Sequence, residues 1–279
     1  MWKPVSTFFD RLFTPPEFRA SGRRCKLGFY TMDWFENEDF WRDFYPYMFP
    51  PERFSAAKEE VNRIVTLTQC RGGSLLDLCC GPGRHAVEFA QCGFQVTGVD
   101  RSPFLLDRAR DHASRAGLSI EWIMEDMRNF VRPSTFDLAC NLFTSFGYFK
   151  DEHDDLRVLR NVHKSLKDTG VLVIEVVSKE RLARTWQSTI STELADGSLL
   201  VQRPQIRDDC CRVYSEWILV KDGCSRSFGF EHTIYSGREL KDRLSSCGFE
   251  PVQLFGDLQG SIYDLEAKRL IAVARKSNA

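Results

Sequence analysis

Between Leu75 and Asp100 the chain reads LLDLCCGPGRHAVEFAQCGFQVTGVD, and few backbone arrangements satisfy that order of residues. Leu75-Leu76-Asp77-Leu78 is a short apolar run of the type buried on both faces of a parallel sheet. A turn with Gly81 and Gly83 follows. Arg84 to Cys92 then reads as a helix, with Ala86, Val87, Phe89 and Ala90 inward and a stop at Gly93. Phe94 to Val99 is a second apolar run, closed by Asp100. In such a unit of strand, glycine turn, helix and strand, the turn backbone approaches a ligand closely and helix N-terminal amides point at it. The unit is suited to holding a nucleoside.

The flanking residues extend the pattern. Phe54, Ala57, Val61, Ile64, Val65 and Thr68 recur at threes and fours and predict an amphipathic helix over 52–68. Ser102-Pro103 is an N-cap followed by a proline at the first helical position, and that helix stops at Gly117. Apolar runs at 120–124, 136–142 and 171–177 predict three more strands, with a helix over 154–166 and a turn at Asp168-Thr169-Gly170. Alternating strands and helices imply a parallel sheet covered on both faces. From Ser178 to Tyr235 the helical period is lost. Short alternating runs with turn signals at Asp196-Gly197 and Asp222-Gly223 predict an inserted antiparallel β meander. Ser236-Gly237-Arg238-Glu239 is a capping box for a helix ending at Gly248, and runs near 251–255 and 269–274 predict an antiparallel edge pair.

The first 51 residues are aromatic and irregular, with Pro46, Pro50 and Pro51 breaking any long helix, while Trp34, Trp41 and Tyr45 fall at helical spacing. This segment packs on the main domain, covers a ligand as a lid, or does both. The expected division is therefore 1–51 as lid segment, 52–177 as ligand-binding core, 178–235 as β insertion and 236–279 as the end of the core.

Composition excludes several classes. At 279 residues with 43% hydrophobic and 28% charged content the chain can bury a substantial core, and a formal net charge of −1 supplies no global field for nucleic acid. The ten cysteines include the adjacent pairs Cys79-Cys80 and Cys210-Cys211, and no CxxC of zinc spacing occurs, so reduced thiols and no metal site are expected. No secretory leader pattern opens the sequence and no run approaches about 20 apolar residues, which predicts a cytoplasmic protein without a membrane span.

The glycines alone leave the ligand undecided, because Cys79 stands where a first glycine is common and Ala86 at the third position. The acids discriminate. Asp77 beside the loop would repel a pyrophosphate and suits an ammonium or sulfonium group, whereas Asp100 suits a pair of ribose hydroxyls.

DLCCGPGR, GVD, EDM and FDLACNLFTSFGYF, in that order, resemble the motif series of class I S-adenosylmethionine-dependent methyltransferases, over roughly residues 60–177 and the C-terminal helix and strand pair. The resemblance implies a Rossmann-like α/β fold: a seven-stranded sheet, mostly parallel with its last strand antiparallel. S-adenosylmethionine would lie across the strand ends. It assigns Gly81, Gly83 and the substituted Cys79 to the turn under the cofactor, Asp77 to the amino group and Asp100 to the ribose. Arg101 and Leu105 would flank the adenine, Asp126 and the Met127 amide would meet its edge, and Asn141 and Leu142 would place carbonyls near the ammonium. Candidate catalytic groups are Tyr148, His232 and Tyr235, with His153 a further candidate and His85 expected to face solvent or to make a supporting contact. The Asp/Asn-Pro-Pro-Tyr/Phe run of nucleic-acid amino methyltransferases is missing at Asn141-Leu142-Phe143-Thr144. A small-molecule acceptor is therefore expected, methylated on N or O and enclosed by Tyr30, Trp34, Thr144, Ser145, Phe146 and Trp217. A protein or RNA acceptor, or a relative that binds the cofactor without methylating, are the competing readings, and a homodimer stays open.

Overall fold

The computed structural model describes residues 33–277, so Tyr30 and most of the expected lid segment lie outside the described residues. After a single 3-10 turn at Trp34–Glu36 come helices α1 (Glu38–Met48) and α2 (Pro51–Thr68). Pro46 sits inside α1 rather than breaking it, at the cost of the amide that would otherwise donate to the Arg42 carbonyl. Pro51 opens α2, whose buried stripe is Ala57, Val61, Ile64 and Thr68.

The core then alternates: β1 (Gly73–Leu78), α3 (Arg84–Gln91), β2 (Phe94–Asp100), α4 (Pro103–Arg115), β3 (Glu121–Met124), β4 (Phe136–Asn141), α5 (Glu152–Ser165) and β5 (Leu166–Val176). The turn expected at 168–170 is instead a wide irregularity inside β5, where the pairing with β4 jumps from Phe136↔Leu166 to Leu138↔Val171. A short helix, α6 (Lys179–Thr185), precedes the meander and was not foreseen; its seven residues are too few to show a helical period. The meander is β6 (Ile190–Glu193), β7 (Leu199–Arg207), β8 (Arg212–Lys221) and β9 (Cys224–Thr233), after which α7 (Gly237–Ser246), β10 (Phe249–Phe255) and β11 (Leu270–Lys276) complete the core. The Ser236–Glu239 capping box is formed. One meander turn escaped sequence reasoning: Asp208, Asp209 and Cys210 all take left-handed backbone without a glycine.

The main sheet has seven strands in the order β10-β11-β5-β4-β1-β2-β3, with β11 antiparallel to both neighbours and the other pairings parallel. The order reverses between β1 and β4, and a crevice opens beyond their C-terminal ends. The meander is a separate four-stranded antiparallel sheet. Helix α1 packs on it: Phe40 and Phe44 are fully buried against Leu200, Trp217 and Phe228, and Arg226 pairs with Asp43 at 2.6 Å. Trp217 therefore serves this cluster rather than the crevice wall. Among the described residues no helix is long and apolar enough to cross a membrane.

Candidate functional site

The crevice is floored by the loop after β1. Asp77, at 3% exposure, ends up beside the loop, and Asp100, at 9%, closes the neighbouring strand. Each oxygen of Asp100 accepts one backbone amide, from Gly81 at 2.8 Å and Ser102 at 2.9 Å, which leaves further lone pairs for a ligand. Asp77 is less well served: its Oδ2 is buried without a partner. Burial pushes its pKa up to about 7, with Arg84 opposing and Asp100 adding to the rise. Asn141 donates to the Leu78 carbonyl at 3.1 Å, and its Oδ1 is likewise without a partner.

The loop geometry explains its composition. Gly83 (φ 75°) needs to be glycine twice over, because a Cβ there would lie 2.7 Å from Trp122 and 2.9 Å from the Ala109 methyl. Cys79 adopts φ 62°, the conformation that makes glycine common at this place, so the substitution stores strain of about 1–2 kcal/mol at the ligand loop. Phe143 and Thr144 repeat the device after β4 at φ 57° and 59°.

At the β2–β3 end, Arg101 bridges Glu36 of the first turn and Asp126, and Arg128 also holds Asp126, at 2.7 Å. The Asp126 carboxyl is lowered despite its burial, because these guanidinium bonds outweigh desolvation. Glu38 of α1 accepts from the Ser102 hydroxyl at 2.8 Å and the Phe104 amide at 3.1 Å, tying the N-terminal helix to α4 next to Asp100. Leu105 and Met127 supply apolar surface here.

The structure thus brings Asp77, Cys79, Gly81, Asp100, Arg101 and Leu105 to one cavity, together with Asp126, Met127 and Leu142. Trp34, Thr144, Ser145 and Tyr148 line it too. Gly83 and Asn141 stand just behind the lining. Sequence reasoning missed the wall made by Phe49, Arg53, Arg84, His85 and Phe143. Of the two expectations for His85 the solvent-facing one fails and the supporting contact is what forms: the ring is buried, donates to Glu60 (2.9 Å) and stacks on Phe143 (centroids 5.4 Å apart). Burial lowers its pKa to about 4, so the ring is neutral. Glu60 is held near 2; burial alone would raise it, and the His85 bond with Arg84 and Arg269 prevails. The pattern was readable only in part, since a helical Arg-His pair has no periodic signature that says which helix it meets.

Tyr148 lines the cavity with a polar ring. It lies 4.9 Å from Trp34 and 5.3 Å from His232 between ring centroids, and burial raises its pKa, so the phenol is neutral. His232 is outside the cavity lining, with Nδ1 buried and unpartnered, and burial with the nearby Arg212 lowers its pKa to about 4. His153 is exposed and pairs with Asp151. Phe146 and Tyr235 are stacked in the core, where the Tyr235 hydroxyl donates to Asp155 at 2.5 Å. Tyr235 is therefore not positioned to touch an acceptor.

Asp155 is fully buried, and burial raises its pKa to about 6 against the Tyr235 bond and the charges of Arg243 and Arg212; Asp154 adds to the rise. A raised carboxyl favours the fold most below its unfolded pKa near 4, and that advantage is lost as pH rises through about 6. The wild type should lose about 2 kcal/mol between pH 4 and 7 that Asp155→Asn retains, read from urea unfolding at both pH values.

Residues 75–170 match the family model described as "Methyltransferase domain". The Bacillus subtilis protein YqeM, named as a methyltransferase, is 27% identical over 211 residues, covering 74% of this chain and 85% of that one. Among solved structures, an S-adenosylmethionine-dependent methyltransferase from Clostridium acetobutylicum superposes with TM-score 0.73 at 16% identity, covering 86% of this chain and 99% of that one. The sugar N-methyltransferase KedS8 from Streptoalloteichus superposes with TM-score 0.64 at 22% identity, covering 92% and 99%. The domain match takes in the acid-flanked loop and the strand ends around the cavity, so residues 75–170 carry a methyltransferase-type domain on the fold these solved structures share.

Proposed function

We propose that this enzyme moves a methyl group from S-adenosylmethionine to a nitrogen or oxygen of a small organic acceptor held between Trp34 and Tyr148. One observation carries the reading: two buried polar atoms without partners, Trp34 Nε1 and Asp77 Oδ2, belong to residues that line a single cavity, and a third, Asn141 Oδ1, stands just behind it. Buried polar atoms are normally satisfied, so such a cluster marks a place built for a ligand. Bound there, the cofactor supplies a methyl carbon activated by a sulfonium charge. The residues fit it: Asp77 for the ammonium, Asp100 for the ribose hydroxyls, and Asp126 with the Met127 amide at the adenine edge.

The rest of the work is positioning. Trp34, Phe35 and Phe149 close the acceptor side with apolar surface that excludes water, and Tyr148 offers a neutral hydroxyl to orient a lone pair. His232 holds a proton weakly at pH 7, so it supports the Tyr148 ring and takes no proton itself. An amine acceptor then needs only to arrive neutral, and its proton leaves to solvent afterwards. An aromatic, lid-covered pocket suits a compact molecule, in keeping with the sugar substrate named for KedS8.

Incubation with methyl-labelled S-adenosylmethionine and a panel of small amines and alcohols should move label into a product of low molecular weight. Label found only in protein or RNA, or cofactor bound but never consumed, would refute the reading. A pH dependence follows from Asp77. An ammonium needs the ionised carboxylate, so affinity for S-adenosylhomocysteine should fall as pH drops from about 8 through about 7, approaching tenfold per unit below it. Calorimetry should show that Asp77→Asn binds more weakly and loses this slope.

A further inference from the structure

Tyr148 lies in the segment between β4 and α5, and the carbonyls of both its neighbours are held by the meander. The Gly147 carbonyl accepts the Thr233 amide at 2.7 Å. The Phe149 carbonyl accepts Nη1 of Arg212 at 3.0 Å, and the same nitrogen donates to the Thr233 hydroxyl at 3.0 Å. Arg212 opens β8 directly opposite Thr233 of β9, so its guanidinium spans from the inserted sheet to the Tyr148 segment. Its Nε lies 3.1 Å from a Glu231 carboxylate oxygen, which fixes the plane of the fork, and the side chain is only 13% exposed. The two segments approach closely enough to dictate sequence. Gly147 takes φ 98°, and a Cβ there would lie 2.9 Å from the Thr233 carbonyl oxygen.

We propose that Arg212 is a positioning residue for methyl transfer, holding the Tyr148 hydroxyl in the acceptor wall by pinning the Phe149 carbonyl beside it to the end of β9. The assignment rests on the methyl-transfer reading above and deepens it, because it gives the inserted sheet a part in the reaction. Arg212 itself is outside the cavity lining and acts through Tyr148. Phe149 is buried, so removing the guanidinium takes the donor from a carbonyl that water does not readily replace, and the segment shifts to find another. His232, next to Thr233 on β9, keeps its ring 5.3 Å from that of Tyr148 only while the two segments stay in register. Arginine is suited to the task because its planar fork reaches a carboxylate, a hydroxyl and a carbonyl at once, whereas a lysine ammonium on its flexible stem does not fix all three.

The test follows label transfer from methyl-labelled S-adenosylmethionine to an amine or alcohol that the wild type methylates, alongside calorimetry with S-adenosylhomocysteine, on the full chain. Displacing a group by about 1 Å costs about a hundredfold in rate, so Arg212→Met should lower kcat by that factor and leave S-adenosylhomocysteine affinity within about twofold. Arg212→Lys keeps the charge and carries the test if Arg212→Met does not fold; its kcat should fall about tenfold. Arg203→Met removes an ion pair with Glu216 (3.4 Å) from the same sheet and should match the wild type. Combining Arg212→Met with Tyr148→Phe should cost little more than the larger single loss, because both changes act through one hydroxyl. Additive losses, a parallel loss of S-adenosylhomocysteine affinity, or the wild-type rate in either Arg212 variant overturns the proposal. If the wild type transfers label to no member of the panel, the methyl-transfer reading beneath it falls instead.

Discussion

Two carboxylates buried on neighbouring strands set the terms for the rest of this structure. Asp77 and Asp100 lie at the C-terminal ends of β1 and β2, both more than nine-tenths buried, where an ionised acid is costly unless something answers it. Asp100 is answered by the Gly81 and Ser102 amides, and this forces the intervening loop to turn back over the strand ends. The loop can do so only with Cys79, Gly81 and Gly83 all in left-handed backbone. Asp77 has the Ala86 amide and the charge of Arg84 on its side, yet one oxygen is buried without a partner, and the proximity of Asp100 makes its ionisation harder still.

The remaining layers follow from covering that cavity. Helix α1 could not stand alone on its aromatic stripe. It is stable because Phe40 and Phe44 are shared with the meander while Glu38 is shared with α4. The cover over the site is therefore joined to both the cofactor half, through Arg101 and Ser102, and the inserted sheet, through Arg226. A movement of either partner would be felt at Trp34, which touches both Tyr148 and Phe230.

The core was legible in the sequence because its signals are local. Apolar runs ending in acids gave the strands, Ser102-Pro103 and the Ser236–Glu239 box gave two helix starts, and the order of motifs fixed which strand ends meet. What escaped reading depends on contacts between distant residues. Tyr235 carries the chemistry of a catalytic ring, but its burial against Phe146 and its bond to Asp155, 80 residues away in sequence, put it in the core. Trp217 likewise has the makings of a pocket wall until Phe40 and Phe44 claim it. His85 shows the reverse, a residue whose weight in the site depends on Glu60, which only the packing of α2 on α3 supplies.

The central claim is that the cavity beyond β1, β2 and β4 seats the cofactor with its sulfur turned toward Trp34 and Tyr148. A crystal structure of the complex with S-adenosylhomocysteine tests it most directly. The ribose hydroxyls should lie within hydrogen-bonding distance of Asp100, the ammonium against Asp77, and the sulfur should open onto the aromatic wall. A ligand seated elsewhere, or one in this cavity with its sulfur facing away from Tyr148, would contradict the account.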